Sequence, residues 1–279
     1  MFGTNVAHEK QLKRKLIKKM YKLKKRKTNN SYEKTKKYVL NVILIFLLGI
    51  LSFRFFLPYC APTKHKIENM TFSSVKKLEG KDFEAFLQRA EFIYEKSKNN
   101  PFYDSSKKIV FCFHSNKKFY SFLSFGKSLG FAMSFGKFNV IHFSETDFVN
   151  NTVTGRAKKY NVRKLDDSAV HELTHVYLSK GLSVIDFLFI PVWKNEGIAE
   201  CIASSSSYDI KTGLENFYED VNDKSHQYKY FKYRLAVSYL TKKKNLSYDD
   251  VLKFKHLKFK DILEEIKQYD KDVVLSWLE

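Results

Sequence analysis

Apolar and polar residues are unevenly sorted along this chain. Tyr38 to Leu57 is a run of twenty residues broken by one charge, Arg54, near its far end. Twenty helical residues span roughly 30 Å, the thickness of a bilayer's hydrocarbon layer, and an arginine so near the end can snorkel to the interface. The run predicts a membrane helix over 38–57, with Tyr38 at one interface and Phe55, Phe56 and Tyr59 at the other. A cleaved signal peptide fits less well, because Pro58-Tyr-Cys-Ala-Pro62 offers no A-x-A cleavage pattern. Leu57-Pro-Tyr ahead of Cys60 lacks the small residues of a lipoprotein signal, so Cys60 is read as unmodified.

Beyond the run, periodicity takes over. Glu79 to Lys98 places Phe83, Phe86, Leu87, Ala90, Ile93 and Tyr94 on one helical face. Lys108 to His114 reads as a strand, followed by a short helix around Phe119 to Phe125. Phe131 to Phe135 and Phe138 to Phe143 flank Gly136-Lys137 as a hairpin. Asp167 or Ser168 can cap a helix ending near Gly181, and a second helix is expected from about Lys194 to Ala203, before Ser204 to Ser207. Two more follow, over roughly His226 to Lys243 and from Ser247 onward with breaks. Strands dominate the first half and helices the second, so the class is α+β. Residues 61–279 carry neither a low-complexity break nor a clear repeat and are expected to form one domain, of one or two lobes.

Charge changes the picture at one end. The 279 residues hold 50 Lys and Arg against 30 Asp and Glu, a net of +20. Met1 to Lys37 alone holds 14 basic residues against Glu9 and Glu33, leaving +12 there and +8 elsewhere. Such a tail neutralises phosphate without sequence preference. Beside a membrane span its simpler roles are topogenic and lipid-binding, with about 1 kcal/mol for each basic residue near an anionic leaflet. No nucleic-acid partner is expected. By the positive-inside rule, tail 1–37 is cytoplasmic, and residues 61–279 face away from the cytoplasm. The three cysteines, Cys60, Cys112 and Cys201, are too few for a disulfide framework; Cys112 and Cys201 either pair or are buried thiols.

The chemistry sits in His171-Glu-Leu-Thr-His175. On a helix, residues four apart share one face, so both imidazoles reach one ion while Glu172 stands beside the metal-bound water as a base. A hydrolytic zinc site wants a third protein ligand and an open position for solvent. Val176 to Leu182 contains no histidine, so that ligand comes from elsewhere.

Trp193-Lys-Asn-Glu-Gly-Ile-Ala-Glu200 follows. Together the two segments resemble the gluzincin zinc metallopeptidases, in their aminopeptidase-like branch and the short peptidase MA-like domains, whose second motif reads W-x-N-E-G-x-A. Trp193, Asn195, Glu196, Gly197 and Ala199 match. The resemblance implies that Glu196 is the third ligand, with Asp186 a weaker candidate. Glu200, one turn on, either orients a ligating histidine or is a solvated helix glutamate. Tyr230 to Leu240 is similar to the aminopeptidase segment whose leading tyrosine steadies the oxyanion. Tyr230 takes that place and Lys232 matches its lysine, but Phe231 and Tyr233 replace its acid and glycine; Tyr228, Tyr233 and His226 stand near enough to compete for the role. Gluzincins also offer substrate an edge strand, here Phe131 to Met133 or the strand at Val140. The aminopeptidase G-x-M-E-N motif, whose glutamate holds a free amino terminus, is broken here by Ser134 and Phe135.

The resemblance covers roughly Phe111 to Leu240. It implies a zincin-like domain, with a small mixed sheet and an active-site helix followed by a helical lobe, one Zn2+ ion, and a membrane-anchored peptidase acting on peptide or protein. The alternative is a non-enzymatic ectodomain of the same fold that binds a cell-surface protein or wall ligand.

Overall fold

The computed structural model describes residues 36–50, 52–123, 130–155, 161–204, 208–254 and 256–279. Residues 1–35 of the basic tail, the Phe125 end of the expected short helix and Ser205 to Ser207 lie outside them. The chain divides into two units, Met1–Arg54 and Phe55–Glu279.

Helix α1 (Lys36–Cys60) is 25 residues long, with a mean hydropathy of 2.4 in its most apolar window. It is long and apolar enough to cross a membrane. Only 12% of that window is buried, whereas a core helix of a soluble protein is mostly covered.

The second unit is mixed α+β, as the alternation of patterns predicts. Its seven described strands form one mixed sheet: β1 (Thr63–Ile67), β2 (Met70–Ser74), β3 (Ile109–His114), β4 (Ala132–Phe135), β5 (Val140–Asp147), β6 (Thr152–Thr154) and β7 (Val162–Lys164). The order is β1-β2-β3-β5-β6-β7; β2-β3 and β3-β5 are parallel, and β4 pairs antiparallel with the first half of β5. Phe72, Phe111, Phe113 and Phe143 occupy one face because they alternate with polar or small residues along three adjacent strands. Their rings stack across the strands at centroid distances such as 4.7 and 5.0 Å.

Two helices cover that aromatic face. α2 (Gly80–Lys98) contributes Phe86 and Ile93, and α4 (Leu165–Gly181) contributes Leu165, Ala169, Leu173 and Val176. α3 (Lys117–Leu123) follows β3 and lies against β3 and β5. The helical lobe comprises α5 (Val184–Phe189), α6 (Val192–Ala203), α7 (Ile210–Tyr218), α8 (His226–Ser238), α9 (Tyr248–Lys253), α10 (Phe259–Ile266) and α11 (Lys271–Leu278). A π-helical turn, Tyr239–Lys243, extends α8 to the end expected from its pattern. The lobe has its own core around Phe231, Leu235, Tyr239 and Trp277.

One boundary departs from expectation, and two alternatives left open by the sequence are decided. α4 starts at Leu165, ahead of Asp167 and Ser168, because these side chains bond elsewhere: Asp166 accepts from Arg89 at 3.0 Å, Asp167 from Lys96 at 2.7 Å, and Ser168 Oγ donates to the Lys164 carbonyl at 2.9 Å. The strand at Val140 is interior, with β3 on one side and β4 and β6 on the other, so it cannot add a peptide. β4 pairs only with β5 among the described residues, so it is a free edge, as β1 and β7 are at the two ends of the sheet. Cys112 and Cys201 do not pair: Cys112 is buried in β3, and the Cys201 thiol lies 3.3 Å from Ser238 Oγ.

Candidate metal centre

α4 crosses the sheet with one face toward α6, and that face carries His171 and His175. The helical repeat sets the two rings one turn apart, with Nε2 atoms 3.1 Å from each other. α6 brings Glu196 to both: its Oε2 stands 3.2 Å from His171 Nε2 and 3.4 Å from His175 Nε2. The approach of α6 depends on Gly197, where a Cβ would meet the Tyr233 carbonyl oxygen of α8 at 2.5 Å.

These three edges fit one tetrahedral ion. Ligand atoms at about 2.0–2.1 Å from zinc stand about 3.3 Å apart. Two imidazoles and one carboxylate are also the donor types a hydrolytic zinc site uses. Asp186 is excluded as the third donor; it is exposed and closes the N-terminus of α5 by pairing with Ser183 at 2.6 Å.

Each distal ring nitrogen has a close polar neighbour. Asn195 Oδ1 lies 3.0 Å from His175 Nδ1; an amide oxygen only accepts, so Nδ1 is the donor in this contact and Nε2 is the nitrogen that faces the cluster. Glu200 Oε1 lies 2.9 Å from His171 Nδ1. Glu200 is therefore not a solvated helix glutamate: its side chain is 1% exposed, and Arg163 of β7 reaches it at 2.9 Å.

Charge in this region is buried and unbalanced. Burial alone would raise the Glu196 carboxyl, but His175 and His171 hold it well below the usual carboxylate range. Burial likewise opposes ionisation of Glu200, and Arg163 and His171 outweigh it. Burial would lower the His171 imidazole, yet Glu196 and Glu200 push it up to about 9, and Glu196 raises His175 in the same way. Carboxylates that pull protons onto adjacent imidazoles mark a place where a cation is favourable.

A cavity of about 530 Å³ opens over the cluster, lined by Glu172, Phe131, Ala132, Ser134, His226 and Tyr230 among others. Glu172, next to His171 on α4, is half-buried and faces this space. Of the four side chains near the oxyanion role, Tyr230 and His226 reach the cavity, while Tyr228 packs against Tyr208 and Phe231 and Tyr233 against Phe259. The Tyr230 phenol is raised first by burial and then by the charges of Glu196, Glu172 and Glu200. Lys232 is directed away, over the Tyr228 ring.

No family model matches this chain, and no curated protein matches it. The centre therefore stands on its geometry. Two of its members escaped sequence reasoning. Asn195 had a signal in its place beside Glu196, whereas Arg163 had none, since only the β5-β6-β7 meander carries it to α6.

Proposed function

We propose that this chain is a membrane-anchored, zinc-dependent metallopeptidase of the gluzincin kind, with a zincin-like domain. The observation that carries the reading is the convergence of His171, His175 and Glu196 to within 3.1–3.4 Å of one another beneath a cavity that also holds Glu172. Zinc, when bound by these three side chains, supplies a Lewis acid that polarises a carbonyl and acidifies water.

The remaining work falls to the protein. β4 offers its free edge to an extended peptide, whose backbone amides and carbonyls pair with it. Glu172 takes the proton from the attacking water and delivers it to the leaving amine. Tyr230 donates its phenolic hydrogen to the oxygen that gains charge at the scissile carbon. Asn195 and the Arg163–Glu200 pair fix the orientation of the two imidazoles. Ser134 and Phe135 supply no carboxylate for a free amino terminus, which favours cleavage at internal bonds.

α1 is the anchor. The basic flank before it supports an orientation with residues 1–37 in the cytoplasm against an anionic leaflet and residues 61–279 outside. External protease should digest the C-terminal unit on intact cells, and complete protection there would reverse this orientation.

The activity is tested with purified full-length protein in detergent. The wild type should contain one zinc and cleave members of a peptide library. Glu172→Gln should keep the metal and lose cleavage, and His171→Ala should lose both. Undiminished cleavage by Glu172→Gln would refute the assigned base, and absence of zinc from the folded wild type would refute the centre.

A further inference from the structure

The sheet has a second face, and its chemistry is unlike that of the aromatic one. Cys112 and His142 are register partners on the parallel strands β3 and β5, and His114 follows two residues after Cys112. The three side chains are buried, and one donor atom from each lies within 4.8 Å of the others. His114 Nε2 and His142 Nδ1 face each other at 3.0 Å. Met133, the antiparallel partner of His142 on β4, stands on the same face of the sheet.

Nothing about strand packing calls for this set. A buried sheet face is ordinarily apolar, as the phenylalanine face is. Here the hydroxyls of Ser73 and Ser144 and the second nitrogen of His114 are buried without a hydrogen-bond partner among the described residues. Two imidazole nitrogens facing at 3.0 Å can share one proton or one cation, and a sulfur stands beside them. The fully buried Tyr120 of α3, whose ring centroid lies 6.0 Å from that of His114, covers the site.

We propose that Cys112, His114 and His142 form a second metal site, selective for copper(I) and separate from the His171–His175–Glu196 centre. The donors are soft or borderline, and thiolate, thioether and imidazole together suit copper(I). The set holds no carboxylate. On binding, the Cys112 S–H bond breaks, its proton leaves to solvent and an S–Cu bond forms with no change of oxidation state. One thiolate, two neutral imidazoles and a monovalent cation sum to zero, whereas a divalent ion would leave a net charge in a buried pocket. Met133 supplies a thioether at the edge of the same set.

The test uses the full chain in detergent with His171→Ala and His175→Ala to remove the first centre and Cys60→Ser to remove the exposed thiol. The probe is copper(I), loaded anaerobically during growth or refolding and then challenged with a chromogenic copper(I) chelator. One retained equivalent is expected, with sulfur and nitrogen in its X-ray absorption shell. Adding Cys112→Ala should weaken retention at least tenfold. The proposal is overturned by less than half an equivalent of copper, by a shell of nitrogen and oxygen alone, by unchanged retention in Cys112→Ala, or by preferential retention of zinc. The absorption shell decides the matter even if the Cys112 variant does not fold. Since the first centre is deleted throughout, neither outcome depends on the peptidase reading.

Discussion

Arg163 and Glu200 meet at 2.9 Å from strands and helices that are far apart in sequence, and the Glu200 oxygen that Arg163 holds is also 2.9 Å from His171. Both side chains of the pair are nearly inaccessible, at 9% and 1% exposure. On the proposed zinc site, Arg163 is a positioning residue that would act on the metal through a carboxylate and an imidazole. Arg163→Met should leave buried Glu200 with only His171 to offset its charge and cost up to about 3 kcal/mol in the metal-free protein. Zinc affinity should fall about 10–100-fold, with Arg163→Lys recovering part of it through charge alone. Thermal unfolding of the apo form and competition with a zinc chelator read the two effects separately. Zinc affinity unchanged in Arg163→Met would show that the pair does not act on the metal.

Gly197 sets the distance between α6 and α8. A Cβ there would meet the Tyr233 carbonyl oxygen at 2.5 Å and Val237 Cγ2 at 2.7 Å, and a backbone carbonyl inside a helix has little freedom to retreat. Gly197→Ala should push α6 outward, carry Glu196 away from the two histidines, and destabilise by about 1–3 kcal/mol. Gly181→Ala is the control. Nothing lies within 4 Å of its added carbon, and the change should be neutral or stabilise by up to about 1 kcal/mol. Chelator competition should register a loss of zinc affinity for the first variant only.

Asp166 gives a pH dependence of less familiar sign. Burial raises its carboxyl above the ordinary value, and Arg89 and Asn151 only partly offset this. A raised folded-state value means that the native protein binds this proton more readily than the unfolded chain does. The group's contribution therefore becomes less favourable as pH rises through that value. An amide oxygen at 166 can still accept from Arg89 Nη1 and Asn151 Nδ2, which now stand at 3.0 and 2.8 Å. Asp166→Asn should thus be as stable as the wild type or slightly more so at pH 7, with any advantage fading below about pH 4. Asp166→Ala, which removes the acceptor, should be less stable at both. Unfolding midpoints at several pH values check this; a large loss in Asp166→Asn confined to neutral pH would contradict it.

The sequence made some of this visible and hid the rest for definable reasons. The pairing of His171 with His175 is legible because it depends only on the helical repeat. The burial pattern of α2 is legible in the same way. Glu196 was reached through the motif around it rather than through any local rule, since its place beside α4 depends on a helix crossing. β1 and β2 were not anticipated: Thr63-Lys-His-Lys-Ile67 has little apolar signal, and its turn is made by Glu68 in the left-handed region at φ 48°. The start of α4 was misplaced because Asp167 and Ser168, good caps by residue type, are drawn to Lys96 of α2 and to the Lys164 carbonyl. The strand carrying Cys112 and His114 was expected, but their meeting with His142 follows from the register of β3 on β5, which strand patterns do not specify.

Tyr230 offers the sharpest check on how the proposed peptidase divides its labour. It lines the cavity with Glu172 but belongs to neither the three donor atoms nor their supports, so its removal should spare zinc. On the proposed reaction its hydroxyl meets charge that exists only as the scissile carbonyl is attacked. Tyr230→Phe should therefore lower kcat about 100–1,000-fold and leave KM nearly unchanged, the signature of an interaction made in the transition state. His226 reaches the same cavity from the start of α8, and His226→Ala should have a much smaller effect on kcat. A reversal of the two effects would move the donor role to His226, and a Tyr230→Phe enzyme with only KM raised would make the phenol a binding contact instead. Zinc content measured on the same preparations separates either result from a damaged centre.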